Sequence, residues 1–368
     1  MKKVGIIGGG INGIFISWRL ASLGYKVDLY EKGKILQQTS GSSSKLLHGG
    51  IRYLEQGHIG LVRESLLNRS WWLKNAPDFC RPIEICMPIY QNSPRSALKL
   101  YIGALLYKIL SGKHSLGPTS WRDKYRTKEL FPEINNIGLN SSVSFYDAQM
   151  NESKLGSWVA DNAKRSGCKI YEDTKVDKFD IEGNIYSDKL GHEEYDFVIN
   201  AAGPWASEIN LKNNIDSKFY LRLIRGSHII LNKKISGSYL FQEPTGTRVV
   251  FVLPYLEKTL IGTTEVPQDI DSDIKCSSDE RDYLLKIFND NFYDNVKIHD
   301  IHREFSGLRP IVSSHLENKE SYFSFASRES KIELLGKLLT VYGGKWTTAP
   351  SLSERVVKKA VKFFKEGR

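Results

Sequence analysis

The spacing of apolar positions changes along this chain from the runs of buried strands to the period of helices and back. Residues 4–7 are an unbroken apolar run, as expected of a strand buried on both faces. The segment Gly8-Gly9-Gly10-Ile11-Asn12-Gly13 follows, and then apolar residues at helical spacing as far as Leu23, with Gly24 as terminator. Residues 26–30 make a second apolar strand, ending at Glu31. Residues 59–76 read as a helix stopped by Pro77, and residues 82–90 as a strand. Residues 96–111 (SALKLYIGALLYKILS) are apolar nearly all round, with only Lys99 and Lys108 charged. A bilayer span takes about 20 residues, so this stretch is either a buried helix or one lying in a membrane surface with its lysines among lipid phosphates.

Residues 138–149 are strand-like, and a helix pattern follows through Lys164. Two short strands flank Thr174, and residues 195–203 form an apolar strand ending in Ala201-Ala202-Gly203 before Pro204-Trp205. Residues 219–265 then change character. Their β-rich runs, separated by turn signals, predict an antiparallel sheet of their own. A helix is expected over 278–291, strand-like runs over 301–314 and 322–330, and finally a strand, a glycine turn, a polar loop and a helix. At 368 residues the chain exceeds what one core usually holds. The expected fold class is α/β: a Rossmann-like dinucleotide-binding domain on a parallel sheet, with an antiparallel-sheet substrate domain. The first would be discontinuous, from residues 1–75, 142–212 and 298–368; residues 76–141 and 213–297 would build the second.

The opening stretch carries the first chemical signal. Gly8 permits a tight turn, Gly10 lets the backbone approach a pyrophosphate, and Gly13 lets helix and strand pack closely, with the helix N-terminus facing the anion. Glu31, 23 residues after Gly8, can accept hydrogen bonds from an adenosine ribose. Strand, glycines, helix, strand and acid occur in order, so the stretch predicts a dinucleotide site.

Composition alters this picture little. The chain is 40% hydrophobic and 26% charged, with mean hydropathy −0.35, the profile of a soluble globular protein. Its first residues run straight into the strand, which predicts a cytoplasmic protein without a leader. Cys80, Cys86, Cys168 and Cys276 form no CxxC or CxxH pair, so neither a metal site nor a disulfide frame is expected. Net charge of +10 and a pI near 9.2 suit a solvated basic face, anionic lipid or an anionic substrate; no nucleic-acid motif accompanies them.

Residues 39–57 (TSGSSSKLLHGGIRYLEQG) place five hydroxyl residues and Gly41 before Lys45, then His48-Gly49-Gly50 before Arg52 and Tyr53. Such a run can wrap a pyrophosphate with hydroxyls and backbone N–H groups. No second glycine fingerprint occurs, so one dinucleotide must do the redox work. The C-terminal Gly343-Gly344-Lys345-Trp346-Thr347-Thr348 segment precedes a helix, whose N–H groups and positive end suit the anionic edge of a reduced flavin. Flavin is favoured over nicotinamide.

The segments GIIGGGINGIFI, SSSKLLHGGIRYLE, VINAAGPWA, IRGSHIIL, VVFVLPYLEKTLIGTTE, FSGLRP, the arginine of ASRES, and VYGGKWTT run in order along nearly the whole chain. In them the chain resembles the FAD-dependent glycerol-3-phosphate dehydrogenases, within the D-amino-acid-oxidase-like flavoproteins. The resemblance implies noncovalent FAD and oxidation of glycerol 3-phosphate to dihydroxyacetone phosphate by hydride transfer from C2 to flavin N5. Electrons would pass to a quinone at the inner face of the cytoplasmic membrane, where residues 96–111 would dock; a homodimer is a further expectation. Carried over, the flavin would be held by Gly8, Gly10, Gly13, Glu31, Ser43, Ser44, Lys45, Val176, Gly203, Trp205, Thr347 and Thr348. The substrate would meet Arg52, Tyr53, Arg328 and Lys345, with His228 as base and Arg309 beside it. Forked and point cations suit a phosphate dianion, and a histidine with an ordinary pKa of about 6.5 can be neutral at pH 7. Two features depart from the family pattern. Ala349-Pro350 stands where members read Tyr-Arg, and the chain ends at Arg368 without their helical C-terminal domain. Another phosphorylated or anionic 2-hydroxy compound or amine as substrate, or an inactive flavin-binding scaffold, are the competing readings.

Overall fold

A computed structural model describes residues 1–243, 248–314 and 329–367. The strand Lys3–Ile7 lies between Lys26–Tyr30 on one side and Phe197–Asn200 on the other, parallel to both. Lys169–Tyr171 extends this sheet beyond Lys26–Tyr30, and Leu338–Tyr342 extends it beyond Phe197–Asn200, again in parallel. Lys331–Leu335 closes the far edge antiparallel, so the sheet has six strands. Parallel neighbours demand crossovers, and the helix Ile11–Ser22 supplies the first. It is buried between the helices Glu152–Arg165 and Ala349–Lys365, with Val4, Ile6 and Leu29 of the sheet beneath them. Ile7, Tyr30 and Val198 point to the opposite face, as strand alternation requires, and meet Phe179, Ile185 and Tyr195 under a small three-stranded antiparallel sheet.

The second sheet is large and almost entirely antiparallel. Its longest pairing runs between Phe219–Leu231 and Ile301–Ser314, and Lys258–Gly262 lies on the other side of Phe219–Leu231. Val249–Tyr255, Tyr239–Gln242, Cys80–Tyr90, Leu139–Met150 and Leu46–Leu47 continue it. The strands Leu139–Met150 and Ile301–Ser314 therefore belong to the antiparallel sheet, although the boundaries expected at 142 and 298 put most of both with the dinucleotide part. Their partners are distant in the chain, so local composition does not say which sheet each strand joins.

Residues 96–111 form the helix Ala97–Ser111, capped by the Ser96 side chain on Lys99 N–H. Ala104, Tyr107 and Ser111 are its buried positions, while Leu98, Ile102 and Ile109 are 56%, 56% and 71% exposed. It is not the buried helix that one reading of its composition allowed. The strand-like run expected over 322–330, with Arg328, lies outside the described residues apart from its last two positions.

Candidate active site

A cavity of about 540 Å³ runs between the two sheets, from the glycine turn after the first strand to the antiparallel pair that carries His228 and Arg309. At its dinucleotide end the backbone does the shaping. Gly8 has φ +109°, a conformation that a side chain would strain, and a Cβ on it would meet Ala201 O at 2.6 Å. A Cβ on Gly13 would meet Gly8 O at 2.0 Å, so the turn closes only with glycine there. Gly10 faces only Ser40 Oγ, at 3.2 Å from a Cβ, and Gly203 faces open space. These are the approaches a flat or anionic group needs. Glu31 accepts hydrogen bonds from Gly9 N–H at 2.7 Å and Gly33 N–H at 2.9 Å, which fixes its carboxylate at the cavity wall. A carboxylate has about four acceptor positions, so both bonds leave room for ribose hydroxyls. Lys32 lies over the Trp205 ring at 4.3 Å and closes the same end.

The hydroxyl-rich loop is held by a buried pair. Lys45 Nζ lies 2.8 Å from both carboxylate oxygens of Glu152, and Ser43 Oγ donates to the same carboxylate. Burial pushes the Glu152 carboxyl up and the Lys45 ammonium down. Lys45 thus braces the loop from behind and does not line the cavity, whereas Ser43, Ser44, Val176, Gly203, Trp205 and Thr347 do. Gly13 and Thr348 also stand off the wall; Thr348 is the N-cap of the helix Ala349–Lys365. Residues 48–50 are fixed from the other side. Gly49 N–H donates to the Tyr107 hydroxyl at 2.6 Å, and that hydroxyl donates to Asp147, which also pairs with buried Arg69 at 2.8 Å.

At the far end, His228 is 1% exposed and stacks on Phe305 with ring centroids 4.9 Å apart. Its Nε2 lies 2.8 Å from Ser44 Oγ. Burial, and then the charges of Arg309 and Lys45, push its pKa well below the ordinary 6.5, so the ring is neutral at pH 7. Arg309 donates from Nη2 to Thr263 Oγ1, and its Nη1 lies 3.4 Å from Glu265 Oε1. Arg52 Nη1 is 3.9 Å from the same oxygen. Lys345 Nζ donates to Ser65 Oγ at 2.8 Å and lies over the Tyr53 ring at 5.3 Å. All of these except Phe305, Ser65 and Lys45 line the cavity. Arg328 lies outside the described residues. Thr263 and Glu265 were quoted within a family segment without a role; a carboxylate beside arginines is the signal that marks them.

A glycine turn with a fixed carboxylate at one end of a cavity and a neutral histidine among cations at the other are the arrangement expected of a dinucleotide-dependent oxidoreductase. Sequence comparison makes the class specific. The chain belongs to the FAD dependent oxidoreductase family, whose model matches residues 3–355. FAD is accordingly its cofactor, and the open backbone at Gly10 and Gly203 fits that group. The chain is 30% identical over 381 residues to a glycerol-3-phosphate dehydrogenase of Pseudomonas tolaasii, covering 99% of this chain and 72% of that protein. It is 32% identical over 377 residues to the D-erythritol 1-phosphate dehydrogenase of Brucella abortus, covering 98% of this chain and 73% of that protein. Among solved structures, the glycerol-3-phosphate dehydrogenase from Bacillus halodurans complexed with FAD shares the fold at a TM-score of 0.76 and 22% identity, over 99% of this chain and 65% of that one. The chain spans between about three fifths and three quarters of the length of the relatives it matches.

Proposed function

We propose that the protein oxidises the C2 hydroxyl of sn-glycerol 3-phosphate to dihydroxyacetone phosphate. One observation carries this reading: Arg52, Arg309 and Lys345, from three distant parts of the chain, line the wall that also holds neutral His228. FAD, when bound, supplies the two-electron acceptor for the hydride that leaves C2. The chain's own residues do the rest. Arg52, Arg309 and Lys345 hold the phosphate by charge-assisted hydrogen bonds, which fixes C2 in one place. His228 receives the hydroxyl proton at Nε2, the nitrogen that contacts Ser44 Oγ. Phe305 stacked on its ring keeps water from that face. Glu31 and the glycine turn hold the ADP portion, far from the reacting carbon.

The electron acceptor on this reading is a quinone reached at a membrane surface. Leu98, Ile102 and Ile109 make an exposed apolar stripe with Lys99 and Lys108 beside it, a suitable face for a lipid interface. Tyr107 of the same helix accepts from the N–H of Gly49, which lies between His48 and Gly50 of the cavity wall. Among the described residues no helix is long and apolar enough to cross a membrane.

A second substrate, a four-carbon polyol phosphate, is favoured by the Brucella abortus relative and by Glu265, whose carboxylate can accept an additional hydroxyl. Anaerobic titration of the purified flavoprotein separates them. Glycerol 3-phosphate bleaches the flavin absorbance on the lead reading and glycerol does not; stronger bleaching by erythritol phosphate selects the second. Bleaching by neither rejects both. In the same assay Arg309→Ala retains flavin but needs at least about ten-fold more substrate, the effect of losing a hydrogen bond to a charged group.

A further inference from the structure

Beneath the substrate wall, on the opposite face of the antiparallel sheet, lies a carboxylate that no step above uses. Glu280 sits in the first turn of the helix Ser278–Asn291 and is 5% exposed. Its Oε2 accepts from Ser277 N–H and Ser277 Oγ, both at 3.0 Å, completing a capping box. The cap accounts for only part of its bonding. The same oxygen accepts from Arg225 Nε at 3.0 Å and lies 2.8 Å from Arg225 Nη2. The other oxygen, Oε1, accepts from Ser227 Oγ at 2.8 Å and from Thr264 Oγ1 at 2.6 Å. Donors at this density hold the carboxyl below the usual range although it is buried.

Two of those partners, Ser227 and Thr264, are chain neighbours of residues on the wall. Ser227 precedes His228, and alternation along a strand turns one to the cavity as it turns the other to Glu280. Thr264 lies between Thr263 and Glu265, both of which meet the Arg309 guanidinium. Thr264 Oγ1 also accepts from Ser227 N–H at 2.8 Å, which ties these two segments directly. The third strand is bound in through Ser306, whose Oγ lies 2.8 Å from Ser227 Oγ and whose neighbour Phe305 stacks on His228. One buried carboxylate therefore joins the segment that presents the histidine to the one that carries Thr263 and Glu265, and reaches the arginine's strand through Ser227 and Ser306.

We propose that Glu280 is a positioning residue of the substrate pocket: acting through Thr264 and Ser227, it sets where Arg309 and His228 stand, and with them the affinity for the phosphate group. The proposal rests on the phosphate-substrate reading for its kinetic consequence, though not for its structural one. Two variants sever the link while sparing different parts of it. Thr264→Val leaves the capping box intact, and Glu280→Gln keeps the volume but turns one acceptor oxygen into a donor facing Arg225. Thr264→Ser, which retains the hydroxyl, is the rescue.

The measurements are flavin content, melting temperature, KM and kcat with glycerol 3-phosphate, and binding of inorganic phosphate by perturbation of the flavin spectrum. Thr264→Val and Glu280→Gln are expected to keep their flavin, raise KM about ten-fold and weaken phosphate binding in parallel, with a smaller loss in kcat. Thr264→Ser returns KM to within about two-fold of the parent. KM and phosphate affinity unchanged in Thr264→Val, with only a lower melting temperature, would reduce Glu280 to a helix cap and overturn the proposal. If Glu280→Gln fails to fold, Thr264→Val alone decides. A parent protein that binds phosphate, but whose flavin no phosphorylated polyol bleaches, overturns the reading of function and leaves phosphate binding to judge the positioning role. A parent that binds no phosphate overturns both.

Discussion

His228 gathers most of the site's chemistry into one ring. Its depressed pKa has a consequence with a definite sign. The base must be deprotonated to act, so the acid limb of kcat/KM should lie well below pH 6.5, the ordinary histidine value, and the profile should stay flat through neutrality. The unfolded chain binds a proton near pH 6.5 that the folded ring refuses, so stability should fall as pH drops below that value. An acid limb at or above pH 6.5 would remove His228 from the role of base. At this scale the sequence was legible in part. Gly13 and Glu31 act within a single βαβ unit, and Gly8 owes its positive φ to the turn of that unit, so their spacing announces them, although the close approach of Ala201 to Gly8 does not show in it. The pairing of Lys45 with Glu152, 107 residues on, has no local signature, and Lys45 was accordingly expected at the cofactor when it braces the loop behind it. His228 and Arg309 were legible only through family resemblance, because a strand histidine and a strand arginine look alike wherever they point.

Among the elements, the helix Ala97–Ser111 has the most ambiguous sequence and the clearest test. Apolar residues on every side hide which face is inward, so periodicity alone could not choose between core and surface. The structure divides the faces: Ala104 and Tyr107 inward, Leu98, Ile102 and Ile109 outward. Replacing Ile102 and Ile109 together with Glu should reduce binding to anionic liposomes about ten-fold or more, given the transfer free energy of two aliphatic side chains. Flavin content should not change, because both residues are exposed. Undiminished cosedimentation with liposomes would move the membrane contact elsewhere. Strands and helices themselves were largely legible. The parallel group shows unbroken apolar runs because it is buried on both faces, and the core strands of the antiparallel group are buried on both faces too, so it was the turn signals between them that set that group apart.

For the molecule as a whole, the cavity between the sheets makes FAD a structural member. A ligand present at a hundred times its Kd adds about 2.7 kcal/mol to the stability of the state that binds it. Stripping the flavin should therefore lower the melting temperature measurably, and added FAD should restore it in a concentration-dependent way. An unchanged melting temperature would mean that the two sheets hold each other without the cofactor between them. Where one sheet ends and the other begins was not legible from composition, because Leu139–Met150 and Ile301–Ser314 read as strands at their full length but the sheet each joins is set by partners far along the chain.

The same topology bears on how the protein is made. Val4 finds its sheet partner Phe197 only 193 residues later, and at about 5–20 residues per second that interval is roughly 10–40 s of synthesis. The glycine turn at the end of the cavity hangs on that half-paired strand. The helix Ile11–Ser22 waits longer still, since the helix that covers it, Ala349–Lys365, is translated last of the elements. A nascent chain on the ribosome should thus be unable to retain flavin until Ala349–Lys365 has emerged, and cofactor loading waits on the assembly of the whole parallel sheet and its covering helices.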